Sequence, residues 1–193
     1  MKKDKKNIAS GGSLPYTKQI KWNRQEKAFW QKYFNNPPEP EAIPDKLGIL
    51  SFRSCDISNS DIGFLTSRVK SIEALELDDA YITKEAIEHL KRLEHLGELR
   101  LKGCTELEND CIPDITKLKG LKMLHLVGTN VTIDGLMGMH TLSKLEKLFL
   151  SVDPKKDITR KMLELKSELP QCNFYINYSL YTFDEEACSG TNN

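Results

Sequence analysis

A nine-residue motif recurs along the chain at intervals of 24 or 25 residues. Its pattern is apolar-x-x-Leu-x-apolar-x-x, with a last residue that is usually small. Such a regular register predicts a stack of similar units, each of which buries its apolar face against its neighbours. The copies are Leu47–Cys55, Ile72–Ala80, Leu96–Cys104, Leu121–Thr129 and Leu145–Asp153, with a degenerate sixth at Leu169–Asn177.

The motif and the segments between its copies have different periodicities. Alternating apolar residues within each copy predict a short strand, and segments such as Ile82–Leu93 have apolar residues at helical spacing. We therefore predict an α/β solenoid, a right-handed β/α superhelix with a short, curved parallel sheet of five or six strands and helices on the convex side. We expect Leu75, Leu99, Leu124 and Leu148 to form one interior column. The predicted helical stripes are Ala86, Ile87, Leu90 and Leu93, then Cys111, Ile112, Ile115 and Leu118, then Leu136, Met139 and Leu142, with N-caps at Thr83, Asn109 and Thr132.

Composition excludes several classes of protein. The 193 residues include 28 basic and 28 acidic ones, which disfavours a strongly basic nucleic-acid binder. The sequence contains no run of 18 apolar residues, so it predicts no membrane-spanning helix. Residues 1–13 lack the apolar core of a secretory signal and are rich in Lys rather than Arg, unlike a mitochondrial transit peptide. Five thinly spread cysteines favour a reducing compartment, so we expect a cytoplasmic location.

The residue types that carry catalysis or bind metals do not form a recognisable motif. The sequence has no phosphate-binding loop, dinucleotide-binding turn, nucleophile elbow or zinc-protease motif. Cys104 and Cys111 are too widely spaced for a zinc knuckle and are predicted to be core thiols. We expect Asp78 and Asp79 to be solvated at a strand end. The prediction is a non-enzymatic protein without metal or cofactor, with His89 and His95 in solvated turns and His140 on a helix surface.

Binding is instead expected on the outward residues of the strands, where equivalent positions lie about 4.8 Å apart. The aligned copies give a first row of Ser51, Glu76, Arg100, His125, Phe149 and Asn173, and a second row of Arg53, Asp78, Lys102, Val127, Ser151 and Tyr175. The charges of the N-terminal half alternate and can pair laterally, whereas the C-terminal half is apolar and aromatic, as partner sites often are. The predicted partner-binding residues on the concave face are Met123, His125, Val127, Phe149, Tyr175, Arg100, Lys102, Glu76, Asp78 and Arg53. The alternative is that Tyr178, Leu180, Tyr181 and Phe183 fold back over this patch.

Both ends of a stacked solenoid need a cap. We predict a disordered basic arm at 1–13, a capping helix and Pro-rich connector at 14–46, the repeats at 47–180 and a tail at 181–193. Within Thr17–Asn35, Trp22, Glu26, Phe29, Trp30 and Tyr33 have helical spacing; this helix either caps the first unit, against Leu50 and Phe52, or binds a partner. The helix predicted at Lys156–Glu168 closes the other end.

The repeats resemble a known family. Their strand-closing residues include Cys55 and Cys104, as in the cysteine-containing subtype of the leucine-rich repeat, and Val131–Leu136 has the style of that subtype. The run LRLKGCTELENDCIPDITKLKGLKMLHL, followed by LEKLFLSVDP and LPQCNFYIN, is similar to the family that contains mitochondrial ATP synthase subunit s (coupling factor B) and the related assembly factor of the distal membrane arm of respiratory complex I. The resemblance covers about residues 47–177. It implies a leucine-rich repeat fold and a small non-catalytic adaptor on the matrix side of the inner mitochondrial membrane.

These inferences predict a non-catalytic adaptor or assembly factor that docks a protein partner on its concave strand face. The resemblance implies a respiratory-chain or ATP synthase complex as its setting, and the mitochondrial matrix as the alternative to the cytoplasm. Two other functions stay open, an inhibitor or immunity-type protein that blocks an enzyme and the substrate-recognition repeats of a ubiquitin-ligase adaptor. We expect no nucleic-acid partner, and a chain that is monomeric by itself or a subunit of a hetero-complex.

Overall fold

The computed structural model describes residues 23–34, 39, 42–53 and 55–183. They form a seven-stranded open sheet whose strands are hydrogen-bonded in chain order. Six strands are parallel, and the last returns antiparallel to the sixth, a strand that the sequence did not predict. The strands are β1 Lys46–Ser51, β2 Ser71–Glu76, β3 His95–Arg100, β4 Met123–His125, β5 Lys147–Leu150, β6 Asn173–Ile176 and β7 Ser179–Leu180. The helices are α1 Arg24–Phe34, α2 Asn59–Arg68, α3 Lys84–Leu90, α4 Ile112–Ile115 and α5 Thr159–Glu168.

The fourth residues of successive motifs form one interior column. Leu75 pairs with Leu99, Leu99 with Leu124, and Leu124 with Leu148 across neighbouring parallel strands. Each of the four is at most 1% exposed, and burying a leucine contributes about 1.5–3 kcal/mol. The predicted column is therefore confirmed, and each unit depends on its neighbours to bury its leucines.

Both predicted core thiols are confirmed as well. Cys104 and Cys111 are fully buried. Burial raises the pKa of the Cys104 thiol to about 11 and that of Cys111 to about 12, so both stay protonated near neutral pH. Cys104 follows the turn after β3 and donates to the Leu77 carbonyl oxygen at 2.9 Å.

Adjacent units are linked by a repeated side-chain pair. The Asn59 Oδ1 atom accepts a hydrogen bond from Thr83 N–H at 3.0 Å, and its Nδ2 donates to Thr83 Oγ1 at 2.9 Å. Asn109 and Thr132 form the same pair at 2.8 and 3.0 Å. Thr83 also caps α3 as predicted, because its hydroxyl accepts from Glu85 N–H. Thr132 is at the predicted N-cap position, before the 3-10 turn Ile133–Leu136, but its hydroxyl accepts from Asn109 and does not cap that turn. The cap predicted at Asn109 is wrong, because Asn109 lies inside a 3-10 turn.

The return limb of the fourth unit is not the predicted helix. It consists of two 3-10 turns, Ile133–Leu136 and Met139–Thr141. Between them, Met137 is extended and Gly138 has a φ of +90°, a left-handed conformation that glycine adopts easily. The Glu168 carboxylate accepts the Gly138 N–H at 2.9 Å and holds this break in place. The apolar stripe is nevertheless buried as predicted, at Leu136, Met139 and Leu142.

Helix α1 packs on the first unit of the stack. The Tyr33 ring meets the Phe52 ring edge-on, with centroids 5.2 Å apart. Near the start of the helix, Glu26 is buried and accepts from Arg68 Nε of α2 at 2.6 Å. The helix therefore contributes its own side chains to the core, and the rings that it buries are Phe29 and Trp30.

Other terminal predictions fall outside the described residues. These are the basic arm at 1–13, Trp22, part of the Pro-rich connector at 35–44, and the tail beyond Phe183. The domain boundaries given above therefore stay predictions.

The C-terminal end of the stack differs from the prediction in two ways. Helix α5 begins at Thr159 rather than Lys156, because the Asp157 carboxylate accepts Thr159 N–H at 3.0 Å just before the helix; this hydrogen bond also lowers the pKa of Asp157. The sixth strand is shifted by two residues, since Phe174 and not Cys172 pairs with Leu148 in the interior column. The interval between paired residues of β5 and β6 is longer than the corresponding intervals between the earlier strands, and a motif of constant interval does not predict this difference in length.

Candidate protein-docking face

The outward residues of adjacent strands form a continuous central row, and the surface that they create is called the strand face here. Because side chains alternate along a strand, the row lies on the opposite side of the sheet from the interior column. The antiparallel pairing of Tyr175 with Leu180 adds Leu180 to this side. In strand order the central row is Ser51, Glu76, Arg100, His125, Phe149 and Tyr175. The prediction had Asn173 in the last place; the two-residue shift of β6 puts Tyr175 there.

The N-terminal half of the strand face is an ion cluster centred on Asp78. Both Asp78 carboxylate oxygens lie 2.8 Å from Arg100 Nε, and Oδ2 also accepts from Arg53 Nε at 3.2 Å. The hydrogen bond that Arg100 donates to Asp78 raises the pKa of the Arg100 guanidinium. Arg53 lies 3.3 Å from Glu76 as well, and Ser51 donates to Glu76 at 2.9 Å. The predicted lateral pairing of charges is thus confirmed.

The expectation that Asp78 is solvated is wrong. Asp78 is only 5% exposed, because the arginines of the strands on both sides cover its carboxylate. Asp79 is exposed, with a φ of +56°. Since arginine and carboxylate charges offset each other within the cluster, this half of the face offers a partner little net charge.

The C-terminal half of the strand face carries a ladder of stacked rings. The rings of His125 and Phe149 have centroids 4.9 Å apart and an interplanar angle of 13°. Phe149 and Tyr175 stack at 4.4 Å and 12°. Such pairs contribute about 0.5–1.5 kcal/mol beyond the area that they bury. Stacking covers the ring faces and leaves the edges of the half-buried Phe149 and Tyr175 rings toward solvent.

His125 and Val127 were predicted to face solvent, and both are buried. His125 is 4% exposed because Phe149 stacks on one side of its ring and Tyr178 lies 6.0 Å away. Burial, with the positive charge of Arg100 next in size, lowers the pKa of His125 to about 4. Its neutral ring accepts from Val127 N–H at Nδ1, at 3.4 Å. These two residues support the face rather than offer contact area to a partner.

The C-terminal segment widens the ring ladder instead of covering it. Tyr178 and Leu180 are 57% and 54% exposed. Lys102 lies 6.0 Å above the Tyr178 ring. Tyr181 and Phe183 turn to the end of the stack, where the Phe183 ring contacts buried Phe174 at 6.1 Å. The predicted fold-back is therefore wrong for Phe149 and Tyr175; it holds for Tyr178 over His125.

The strand face contains outward residues that the sequence analysis did not include among the predicted partner-binding residues. Leu180 was missed because a two-residue strand gives no detectable alternation. Lys147 was missed as well, although it occupies the third position of the fifth motif, where Cα pairing places it beside the predicted, half-buried Met123. Aligning the third residues of the motifs as another outward row would have predicted Lys147 from the sequence.

In the described part of the chain, the other titratable groups do not converge on a reaction centre. His89 lies in the last turn of α3, close to α2 at Gly63, and His95 begins β3, so neither is in the predicted solvated turn. His140 is exposed, on a 3-10 turn. Across the residues that the structure describes, no three His, Cys, Asp or Glu side chains gather as a metal site requires. Within the same residues, no helix is both long and apolar enough to cross a bilayer.

Comparison with known proteins confirms the predicted resemblance. No model of a known protein family matches the chain. It is similar to ATP synthase subunit s, mitochondrial, of Bos taurus, with 27% identity over 105 residues, which are 51% of this chain and 52% of the bovine protein. The Mus musculus protein of that name is 28% identical over 112 residues, 55% of this chain and 56% of its own. The Homo sapiens protein is 28% identical over 85 residues, 42% of each. The chain thus spans about half the length of the curated relatives it matches.

Proposed function

We propose that this chain, like the proteins it is similar to, is an ATP synthase-associated subunit, and that its role is non-catalytic. It would act as an adaptor or assembly factor that docks a protein partner of that complex on the strand face. The names of the relatives support this complex. They also support the mitochondrial alternative for its location rather than the cytoplasmic one.

The fold that goes with this function is a leucine-rich repeat solenoid. Supporting it are the motif interval, the interior leucine column and the pairing of each strand only with strands adjacent in sequence. In such a stack the successive parallel strands create one extended surface suited to a partner protein.

One observation carries the docking proposal, the exposed apolar area on the C-terminal half of the strand face. Tyr178 and Leu180 are more than half exposed beside the half-buried rings of Phe149 and Tyr175. Large apolar side chains grouped on a surface and rimmed by charges mark protein interaction sites. Aromatic side chains supply much of the binding energy at such sites.

Binding of the full-length chain to ATP synthase purified from its source organism tests this function. We expect the Tyr178→Glu/Leu180→Glu variant to lose at least about tenfold in affinity, because it puts charge into a desolvated contact. The matched control is Tyr81→Glu/Leu163→Glu, which places the same two charges at exposed apolar side chains outside the strand face. Biolayer interferometry measures both, after circular dichroism shows that both variants are folded.

The possible outcomes test two claims separately, that the partner is ATP synthase and that the docking surface is the strand face. Absence of binding by the wild-type chain refutes the ATP synthase assignment. Binding that the control loses as strongly as the Tyr178/Leu180 variant refutes the strand face as the docking surface. The Phe149→Glu/Tyr175→Glu variant extends the test to the ring ladder, where we also expect loss of binding.

A further inference from the structure

We propose that the partner of the strand face is an acidic apolar protein segment, with carboxylates placed on either side of an apolar centre. This inference rests on the strand face as the docking surface. It adds the chemistry of the occupant, which is argued from the charges left uncompensated around the exposed apolar side chains.

Two lysines border the ring ladder without a carboxylate. The half-buried Lys102 lies above the Tyr178 ring. The exposed Lys147 precedes Phe149 by two positions on β5, so both side chains are on the same side of the sheet. Among the described residues, neither lysine forms an ion pair. The nearest strand-face carboxylate to Lys102 along the sheet, Asp78, is already bound by Arg53 and Arg100.

The two halves of the strand face therefore differ in whether their charges are compensated. The N-terminal half compensates its charges internally through the Asp78 cluster. Outside that cluster, Glu98 on β3 is the exposed acid of the third outward row, two strands away from Lys147, and it has no ion pair in the described part of the chain. The two positive charges of Lys102 and Lys147 exceed the single negative charge of Glu98. A segment that buries Tyr178 and Leu180 would bring its own acids to these lysines.

The register sets the spacing of the acids in the partner. Lys102 and Lys147 are separated by two strands and by four residue positions along the strand direction. With about 4.8 Å between strands and about 3.3 Å per residue, their Cα atoms are about 16 Å apart. This distance corresponds to about 11 residues on a partner helix or about five on an extended strand. His125 lies midway between the lysines and is neutral, so it does not add to the positive charge.

A random 16-residue peptide library, displayed on phage and selected on the full-length wild-type chain, tests the inference. Counter-selection on the Tyr178→Glu/Leu180→Glu variant removes peptides that bind elsewhere. We expect enrichment of Asp and Glu flanking aromatic or aliphatic residues. Fluorescence anisotropy with the resynthesised peptides should show about fivefold weaker binding to Lys102→Glu and to Lys147→Glu. Lys119→Glu, an exposed lysine elsewhere with the same change in charge, is the control and should stay within about twofold.

A charge swap makes the test specific. Replacing the flanking acids of a selected peptide by lysine should weaken binding to the wild-type chain and restore binding to Lys102→Glu. Enrichment of basic or uncharged peptides overturns the inference, and so does a failure to enrich any peptide. Concentration-dependent dimerisation that Tyr178→Glu/Leu180→Glu abolishes also overturns it, because the occupant is then a second copy of the chain.

The inference and the proposed function fail in distinguishable ways. If ATP synthase binding depends on Tyr178 and Leu180 but is unchanged in Lys102→Glu and Lys147→Glu, the function stands and the acidic occupant is wrong. If acidic peptides bind with the expected lysine dependence while ATP synthase does not bind, the occupant is right and the complex is wrong.

Discussion

Replacing Asp78 by Asn removes the charge at the centre of the ion cluster while keeping the size of the side chain. Asp78 is 5% exposed, and its carboxylate accepts from Arg100 at 2.8 Å and from Arg53 at 3.2 Å. Asparagine keeps one acceptor oxygen, but its amide N–H donors then face the two guanidinium groups. The substitution therefore leaves Arg100 on a partly buried surface without its hydrogen-bonded carboxylate, whereas Arg53 keeps its contact with Glu76.

The expected loss follows from the exposure of each arginine. A hydrogen bond to a charged group contributes about 1.5–3 kcal/mol, and the Arg100 side chain is only 24% exposed. The Arg53 side chain is 50% exposed, so its ion pair adds at most about 1 kcal/mol. We expect Asp78→Asn to lower the free energy of unfolding by about 1.5–4 kcal/mol.

Urea denaturation followed by circular dichroism measures this loss. Glu76→Gln is the matched control, because Glu76 contacts the same Arg53 at 3.3 Å but is more exposed; it should cost less than about 1 kcal/mol. A double-mutant cycle with Arg100→Met should give a coupling energy of about 1–3 kcal/mol. A cost for Asp78→Asn no larger than that of Glu76→Gln would refute the buried cluster and leave an ordinary exposed row of charges.

Two further predictions concern the core and the ring ladder. Leu124→Ala leaves a cavity in the interior column and should lower the free energy of unfolding by about 3–5 kcal/mol, measured by the same urea titration. The control Ile49→Ala, at a side chain 75% exposed on β1, should lower it by less than about 0.5 kcal/mol. Equal losses for the two variants would contradict the interior column. His125 has a pKa of about 4 in the fold and an ordinary value near 6.5 when unfolded. The unfolded chain therefore binds the proton more readily, and stability should fall by at most about 3 kcal/mol as pH drops from about 6.5 to about 4. His125→Phe keeps the stacking and should remove that part of the pH dependence, while His140→Phe, at an exposed site, should not; equal pH profiles for all three proteins would contradict the buried neutral ring.

The features that the sequence predicted correctly depend on local pattern. The interior column follows from apolar residues that recur at a constant interval, which fixes both the strand and the side that is buried. The same holds for Cys111, which occupies an apolar position of a helical stripe, and for Cys104, which occupies the last position of the motif, where most copies have a small residue. The Thr83 cap was predictable because it depends on a hydroxyl next to the start of a helix.

The features that the sequence did not predict depend on neighbours that are distant in the chain. Asp78 is buried by arginines that lie 25 residues before it and 22 residues after it. His125 is buried by rings from β5 and the β6–β7 turn. Tyr175 joins the central row because the last limb is longer than the others. Lateral contacts between units decide each of these cases, and the motif of a single unit does not contain them.

Hydroxyl-radical footprinting of the full-length chain, alone and bound to purified ATP synthase, tests the docking account most directly. Tyr178 and Tyr81 are 57% and 83% exposed, so both react readily in the free protein. The account predicts that the complex protects Tyr178 and the ring-ladder residue Phe149, both of which contact His125, while Tyr81 stays as reactive as before. Protection of Tyr81 with unchanged labelling of Tyr178 and Phe149 would contradict it.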